Sequence, residues 1–299
     1  KVKIFYMPHR GAAARGLTAI SLWSTIVGLI ITVAGSLGPV GGAAMIYTLS
    51  SVILLITVCF PKLSTFPRRY LILGGLLFVA YELCLSLSVA YAGTGTQAIE
   101  VSMVNYLWPS LTLLLAVIAN GKKLHPLMLL GMLVCLAGIG KVLGGDHGFS
   151  AADMAANVAS SPLSYGLAFT GAIIWSVYCV LTQKTAKGCN GITLFFMLTA
   201  AVLWLKFSLS NNQPFDFTPR VLVCLALVSC AMGLGYAAWN TGILHGNVTV
   251  LATASYFTPV LSALFAALLL GESLRLAFWL GALMVSAGSV ICWWATRKG

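Results

Sequence analysis

Charged side chains are scarce in this chain of 299 residues: Asp, Glu, Lys and Arg together make up 8% of it. An ordinary soluble domain carries about 25%. A water-facing surface cannot be built from so few charges, particularly when hydrophobic residues make up 60% of the chain. We therefore expect lipid to surround it. Its apolar runs are about 20 residues long, and such runs form helices where no water can bind the backbone.

Several motifs of enzymes and nucleotide-driven proteins are also missing. There is no Gly-x-x-x-x-Gly-Lys-Ser/Thr loop, no Ser/His/Asp arrangement and no His-Glu-x-x-His motif, so neither ATP-driven chemistry nor a catalytic residue is expected. The 8 cysteines form no Cys-x-x-Cys pair and the 4 histidines are far apart, so we expect no disulfide, metal site or cofactor. The net charge of +11 is spread over short connectors, which argues against nucleic acid as a partner.

The pattern predicts an all-α membrane protein of ten transmembrane helices. Residues 1–13 are basic and lack a convincing cleavage site, so we expect the first apolar run to be a retained helix. Glycine and proline mark most of the connectors. The longest connector, 144–161, holds Asp146 and Asp153. The predicted helices are 14–35, 40–60, 70–91, 97–120, 124–143, 162–184, 190–208, 219–242, 247–270 and 275–296.

Basic residues predict the orientation, because cytoplasmic connectors of membrane proteins are enriched in Lys and Arg. With the N-terminus inside, 13 of the 17 basic residues fall on the cytoplasmic side and 4 on the other. Both termini are therefore expected in the cytoplasm. The four exceptions are Lys141, Lys206, Arg220 and Arg275.

The second half of the chain repeats the first. A shift of 150 residues places Tyr106 on Tyr256 and Pro109 on Pro259, and a shift of 152 places Trp23 on Trp175. Each half has five predicted helices, an odd number, so the second half must enter the membrane from the opposite face. Inverted repeats of this kind are typical of transporters. We predict a first repeat over 14–143 and an inverted second repeat over 162–296. Further matches are Gln97 with Asn247, Gly121 with Gly271, Leu124 with Leu274, Gly131 with Gly281 and Gly138 with Gly288.

Pro109 and Pro259 interrupt the middle of predicted helices. Each removes a backbone hydrogen bond of its helix. The result is either a static kink or a hinge.

Polar residues of the fourth predicted helix share an arc of about 140°, and the equivalent arc of the ninth is polar again. These faces predict either a shared central cavity or hydrogen bonds between packed helices. The cavity would lie between the third, fourth, eighth and ninth helices, with the first and sixth contributing.

Candidate binding residues follow from these inner faces. Trp and Tyr also collect at lipid interfaces, which explains Trp293 and Trp294 better than the tryptophans near mid-helix. Glu82 and Glu100 lie within helices, where a carboxylate is costly. Each could bind an ammonium group, carry a proton or be structural, while Glu272 is expected to be solvated in a turn. The predicted substrate-binding residues are Tyr81, Glu82, Glu100, Asn105, Trp108, Trp175, Tyr178, Trp239, Asn240 and Ser255.

The run Leu270-Gly271-Glu272-Ser273-Leu274, followed by Gly281 and Gly288, resembles the EamA domain of the drug/metabolite transporter superfamily. The first half departs from that pattern, because its equivalent turn has Lys122 in place of Glu272. Longer runs are similar to the YddG-type inner-membrane exporters of that superfamily. These runs are Asn105-Tyr106-Leu107-Trp108-Pro109-Ser110, Tyr236-Ala237-Ala238-Trp239-Asn240 and Tyr256-Phe257-Thr258-Pro259-Val260.

The resemblance implies a transporter that exports aromatic amino acids across a bacterial inner membrane by alternating access, with other neutral amino acids as further candidate substrates. Its partners would be this small-molecule substrate and the lipid bilayer. Export of drugs or organic cations is the alternative, and a channel or a membrane-embedded enzyme would be a different class of protein. A channel needs a continuous polar lining and an enzyme needs a cluster of reactive groups, and the sequence offers neither.

Overall fold

The computed structural model describes residues 18–121, 123–144, 150–210, 214–245 and 255–296, with the backbone alone for 240–245 and Thr296. Within these ranges the chain is helical and contains no strand. The helices are α1 (Thr18–Leu37), α2 (Pro39–Thr57), α3 (Tyr70–Ala90), α4 (Gly95–Ala119), α5 (Pro126–Leu143), α6 (Ala151–Ser160), α7 (Pro162–Thr185), α8 (Ile192–Ser208), α9 (Pro219–His245), α10 (Thr258–Leu270) and α11 (Leu276–Thr296).

Most of these helices have the length and composition of membrane spans. In the described part of the chain, 8 helices are apolar and long enough to cross a bilayer, and α8 and α10 are shorter apolar helices. Large apolar side chains such as Ile56, Leu76 and Leu268 point outward and are exposed. In a soluble protein this surface would aggregate, but here it suits the acyl chains of lipid. The protein is therefore a multi-pass helical membrane protein, as the composition predicts.

The helix bounds agree with the predicted spans to within a few residues. The clearest difference is α6, which lies inside the predicted connector 144–161. It begins because the Ser150 side chain accepts a hydrogen bond from the Asp153 amide, at 3.2 Å, and so caps the helix N-terminus. A second difference is that part of the ninth predicted helix, residues 247–254, lies outside the described residues.

Contacts near the ends of the helices define two ends of the bundle. At one end the Asp216 amide donates to the Ser36 carbonyl at 3.1 Å, and the Gln97 side chain donates to the Ser160 hydroxyl at 2.8 Å. At the other end the Lys184 ammonium donates to the Ala119 carbonyl. We call the first the acidic end, because Glu100, Asp153, Asp216 and Glu272 lie there, and the second the basic end, which holds Lys62, Arg68, Arg69, Lys123, Lys184 and Lys187.

Glycine allows α5 and α11 to pack at unusually close range. A Cβ atom built on Gly138 would lie 2.7 Å from the Gly281 carbonyl oxygen, and one on Gly131 would lie 2.7 Å from that of Gly288. Both obstacles are backbone atoms, which cannot move aside as a flexible side chain can. Small residues at helix interfaces permit such approach in membranes. The four glycines therefore fix where these two helices cross.

Candidate functional site

Three helix interruptions shape the centre of the bundle. The α4 helix is broken at Tyr106 and Leu107, and the new segment starts at Trp108 with Pro109 in its first turn. The break before α10 at Tyr256 and Phe257 lies at the repeat-equivalent position. Proline lacks the amide hydrogen that would continue the helix, so both prolines predicted to interrupt helices lie beside a break. Whether they act as hinges stays a prediction.

The third interruption is in α1, where the helix opens at Ser24 and Thr25. The Ser24 hydroxyl donates to the Ile20 carbonyl at 2.8 Å, and the Thr25 hydroxyl donates to that of Leu22 at 2.7 Å. Side chains that bond to the preceding turn in this way often bend helices. The break comes directly after Trp23, whose indole nitrogen lies 2.7 Å from where Gly235 of α9 would carry a Cβ atom. Glycine therefore leaves room for this ring.

A central cavity lies between α1, α3, α4, α7, α9 and α10. These are the first, third, fourth, sixth, eighth and ninth predicted helices, the same six that the sequence analysis assigns to the cavity. Half of its lining residues are aromatic, and the others are aliphatic residues or carry amide and hydroxyl groups. The lining residues are Trp23, Ile26, Val27, Tyr81, Leu85, Ser102, Asn105, Tyr106, Trp108, Trp175, Tyr236 and Thr258.

The aromatic wall is a connected set of rings. Trp175 lies against Tyr81 with centroids 4.4 Å apart, and it stacks on Tyr178 at 5.0 Å. The Trp108 ring meets Trp175 edge-on at 6.3 Å and Trp239 edge-on at 6.5 Å. Offset and edge-to-face pairs of this kind add about 0.5–1.5 kcal/mol each beyond area burial. The wall therefore presents both ring faces and ring edges to the cavity.

Three polar atoms of the lining have no hydrogen-bond partner among the described residues. They are the indole nitrogen of Trp23, the amide oxygen of Asn105 and the hydroxyl of Thr258. A buried polar group without a partner costs about 1–3 kcal/mol, so these three atoms are available to form hydrogen bonds with a ligand in the cavity. Trp23 is a donor, Asn105 Oδ1 is an acceptor and Thr258 can act as either. Together they suit a ligand that carries both a cationic donor and an anionic acceptor.

The cavity is narrow in this conformation. Its volume is about 40 Å³, whereas pockets for small organic ligands measure about 300–1,000 Å³. Side-chain rotations or helix movements must therefore widen it before such a ligand fits.

The structure divides the predicted binding residues into several groups. Tyr81, Asn105, Trp108 and Trp175 line the cavity. Tyr178 supports Trp175 from behind, and Trp239 packs on Trp23, with centroids 5.1 Å apart, beside Trp108. Ser255 is buried at the break before α10. The side chain of Asn240 lies outside the described residues.

The two predicted glutamates lie away from the lining. Glu82 is 0% exposed and its carboxylate accepts a hydrogen bond from the Tyr47 hydroxyl of α2, behind the cavity wall. Glu100 lies near the acidic end, where its Oε2 accepts from the Asn157 amide at 2.9 Å and from the Tyr165 hydroxyl at 3.0 Å. Helix periodicity gives a residue's depth and face, but these partners come from distant segments. Direct contact of either glutamate with a ligand therefore has no support in this conformation.

Glu272 also differs from its predicted role as a solvated turn residue. Its Oε2 accepts from the Thr96 hydroxyl at 2.7 Å, and a Cβ atom on Gly95 would lie 2.6 Å from its Oε1. The carboxylate thus rests on the first turn of α4, where the helix dipole favours negative charge. We call this contact of Glu272 with Gly95 and Thr96 the acidic-end latch. It joins the second half of the chain to the first.

The sequence-based selection missed Trp23, Tyr236 and Thr258 of the lining. The repeat contained a signal for two of them, because Trp23 is the equivalent of Trp175 and Thr258 is the equivalent of Trp108. Tyr236 also lies on the same predicted inner face as Trp239. A rule that selects both members of each repeat pair would have found Trp23 and Thr258.

This fold and site define a class of protein: a polytopic helical transporter with a ligand cavity at the centre of its helix bundle. The model of the EamA-like transporter family matches residues 162–294. The chain is 54% identical to the aromatic amino acid exporter YddG of Salmonella typhimurium, over 98% of this chain and 100% of that protein. The YddG exporter of Escherichia coli is 53% identical, over the same shares. The chain therefore belongs to the EamA-like transporter family, whose members transport solutes and are not enzymes.

A solved crystal structure with 21% sequence identity supports the fold independently. It superposes with a TM-score of 0.69 and covers 97% of this chain and 99% of its own. At this level of identity the likeness concerns the arrangement of helices alone.

Proposed function

We propose that this protein exports aromatic amino acids from the cytoplasm across a bacterial inner membrane by alternating access. The observation that carries the proposal is the central cavity, where aromatic rings surround one unpartnered acceptor and two groups able to donate. An aromatic amino acid has a ring for the wall, an ammonium group for Asn105 and a carboxylate for Trp23 and Thr258. The YddG relatives are named for export of this substrate class.

The lining favours a zwitterion over an organic cation. Its described residues include no carboxylate, which a cationic drug would normally be paired with. The donors of Trp23 and Thr258 would also stay unpaired beside a ligand that has no acceptor. Drug or organic-cation export is thus the weaker candidate.

Packing supports ten membrane-crossing helices in two inverted repeats over 14–143 and 162–296. If α6 is set aside, α1–α5 and α7–α11 are equivalent helices. The contacts occur in symmetric sets: α1 packs on α9 and α10, and its equivalent α7 packs on α3 and α4. Gly131 faces Gly288 while their equivalents, Gly281 and Gly138, face each other. A two-fold axis in the membrane plane explains both patterns.

Transport itself is tested by counterflow in liposomes. Vesicles that contain the purified protein and unlabelled phenylalanine should accumulate labelled phenylalanine, and excess tyrosine or tryptophan should compete. Trp175→Ala removes one wall of the cavity and should weaken transport about tenfold, because ring and cation contacts are worth about 0.5–2 kcal/mol. Trp294→Ala is the matched control, since Trp294 is exposed on α11. Absence of counterflow in the unaltered protein would refute the function.

Orientation is tested by cysteine labelling in spheroplasts. With the acidic end outside, an impermeant maleimide should label Ser150→Cys directly, and should label Ser64→Cys only after the membrane is permeabilised. The prediction follows from the excess of basic residues at the other end. Exposed native thiols at Cys59 and Cys230 should first be replaced by serine. Direct labelling of residue 64 alone would contradict both the orientation and cytoplasmic termini.

A further inference from the structure

Glu82 is a buried carboxyl group with an incomplete set of partners. Its Oε2 accepts a hydrogen bond from the Tyr47 hydroxyl, whose oxygen also lies 2.9 Å from the Ser86 hydroxyl. Its Oε1 has no hydrogen-bond partner among the described residues. An ionised carboxylate has about four acceptor sites to satisfy. Phenol hydroxyls alone, those of Tyr47 and Tyr236, are too little for the charged form in a site that is 0% exposed.

No cation compensates this group within the described part of the chain. The titratable side chains that face it are three phenols: Tyr47 of α2, Tyr236 of α9 and Tyr81 of its own helix. The other helices packed on α3, which are α1, α4, α7 and α8, bring no titratable side chain to the carboxyl. A buried charge without a partner of opposite charge is strongly destabilising. The surroundings of Glu82 therefore match a neutral, protonated carboxyl.

Two of these phenols connect Glu82 to the cavity. Tyr81 and Tyr236 both line it. Tyr81 packs on Trp175, and Tyr236 packs on Trp23 with centroids 4.9 Å apart. Tyr236 belongs to the second half of the chain, whereas Glu82 and Tyr47 belong to the first. A movement between the halves that widens the cavity must therefore change the surroundings of this carboxyl.

We propose that Glu82 binds the proton that this transporter exchanges for its substrate; the proposal rests on the export function above. When the cavity opens to the cytoplasm, water and substrate enter beside Tyr236. The O–H bond of Glu82 then breaks, its electron pair stays on the carboxylate and the proton passes to cytoplasmic water. The substrate ammonium compensates the new charge. After the substrate leaves on the outer side, a proton from that side returns to the carboxylate before the halves close.

The test measures substrate and proton movement in the same liposomes. Vesicles that enclose a pH-sensitive dye and contain the unaltered protein receive phenylalanine outside, without an initial pH gradient. Substrate that enters should drive protons out, so the interior should become alkaline. Glu82→Gln should keep phenylalanine counterflow but lose the pH change. Asp216→Asn is the matched control, since Asp216 is an exposed acid at the acidic end outside the cavity lining, and it should keep the pH change.

Each result separates this inference from the proposed function. Counterflow in the unaltered protein without any pH change would overturn the role of Glu82 and leave the export function standing. A pH change that persists in Glu82→Gln would overturn it as well. If Glu82→Gln does not fold, Tyr47→Phe decides, because it removes a phenol that donates to the carboxyl. That variant should move the pH at which exchange is half-maximal, and an unchanged pH profile would overturn the proposal.

Discussion

A disulfide between residues 95 and 272 is expected to stop transport. In the variant Gly95→Cys with Glu272→Cys, the Cβ atom of residue 95 would lie 3.1 Å from the present position of Glu272 Cγ. The two Cβ atoms then fall within the reach of a disulfide, about 3.5–4.5 Å. Oxidation would hold the acidic end closed, and substrate could not leave on that side. Phenylalanine flux should fall to background, which is a loss of more than about tenfold.

Reduction with dithiothreitol should restore the flux of the crosslinked variant. Each single cysteine variant, treated with the same oxidant, controls for loss of the acidic-end latch and for oxidation of the native thiols. Crosslinking should be verified by mass on the same sample. A fully crosslinked protein that still transports at the rate of its reduced form would show that this end does not open during transport.

The latch also makes the two ends of the protein unequal. The repeat-equivalent of Glu272 is Lys122, and the equivalent of Thr96 is Gly246. These two residue types have neither the carboxylate nor the hydroxyl that the acidic-end latch uses. We infer that the conformation closed at the acidic end is favoured when no substrate is bound, which suits a protein that loads from the cytoplasm.

Replacing Asn105 should have the second large effect. Among the unpartnered lining atoms of the described residues, its amide oxygen is the one that can only accept, and a hydrogen bond to a charged group contributes about 1.5–3 kcal/mol. Asn105→Leu should therefore raise the KM for phenylalanine about 10- to 100-fold. Thr193→Val is a suitable control, because the Thr193 hydroxyl is also buried without a partner but does not line the cavity.

The nearly isosteric change Asn105→Asp gives a sharper version of this test. A carboxylate at this position should favour the ammonium group and repel the substrate carboxylate. Phenethylamine, which lacks the carboxylate, should therefore compete better against phenylalanine in this variant than in the unaltered protein. Unchanged competition would show that Asn105 is not beside the ammonium group, even if Asn105→Leu is impaired.

The sequence predicted the fold well because a membrane leaves few choices. A run of about 20 apolar residues has no alternative to a helix in lipid, so the bounds of α5 and α9 follow almost directly. Helix α6 was missed because it is short, and its start depends on the Ser150 side chain. The break in α1 depends in the same way on hydrogen bonds of Ser24 and Thr25.

The site was predictable in part, for a related reason. Periodicity placed Asn105 and Trp108 on one face, and the repeat identified the helices they would meet. Neither signal could show that the Tyr47 hydroxyl, 35 residues from Glu82 in the sequence, would bind that carboxyl outside the cavity lining. Nor could either signal show that Glu272 would reach Thr96, 176 residues away. Such contacts depend on packing between helices that are distant in sequence.

The glycine crossing of α5 and α11 has a mechanical consequence. Because backbone atoms block any Cβ atom at Gly131, Gly138, Gly281 and Gly288, the two helices interlock and cannot slide along each other without separating. Any rearrangement that keeps them packed must rotate about their crossing point. A small rotation there displaces more distant parts of each half in proportion to their distance from the crossing. This pair of helices would then be the pivot of the transport cycle, and probes placed on it should move least.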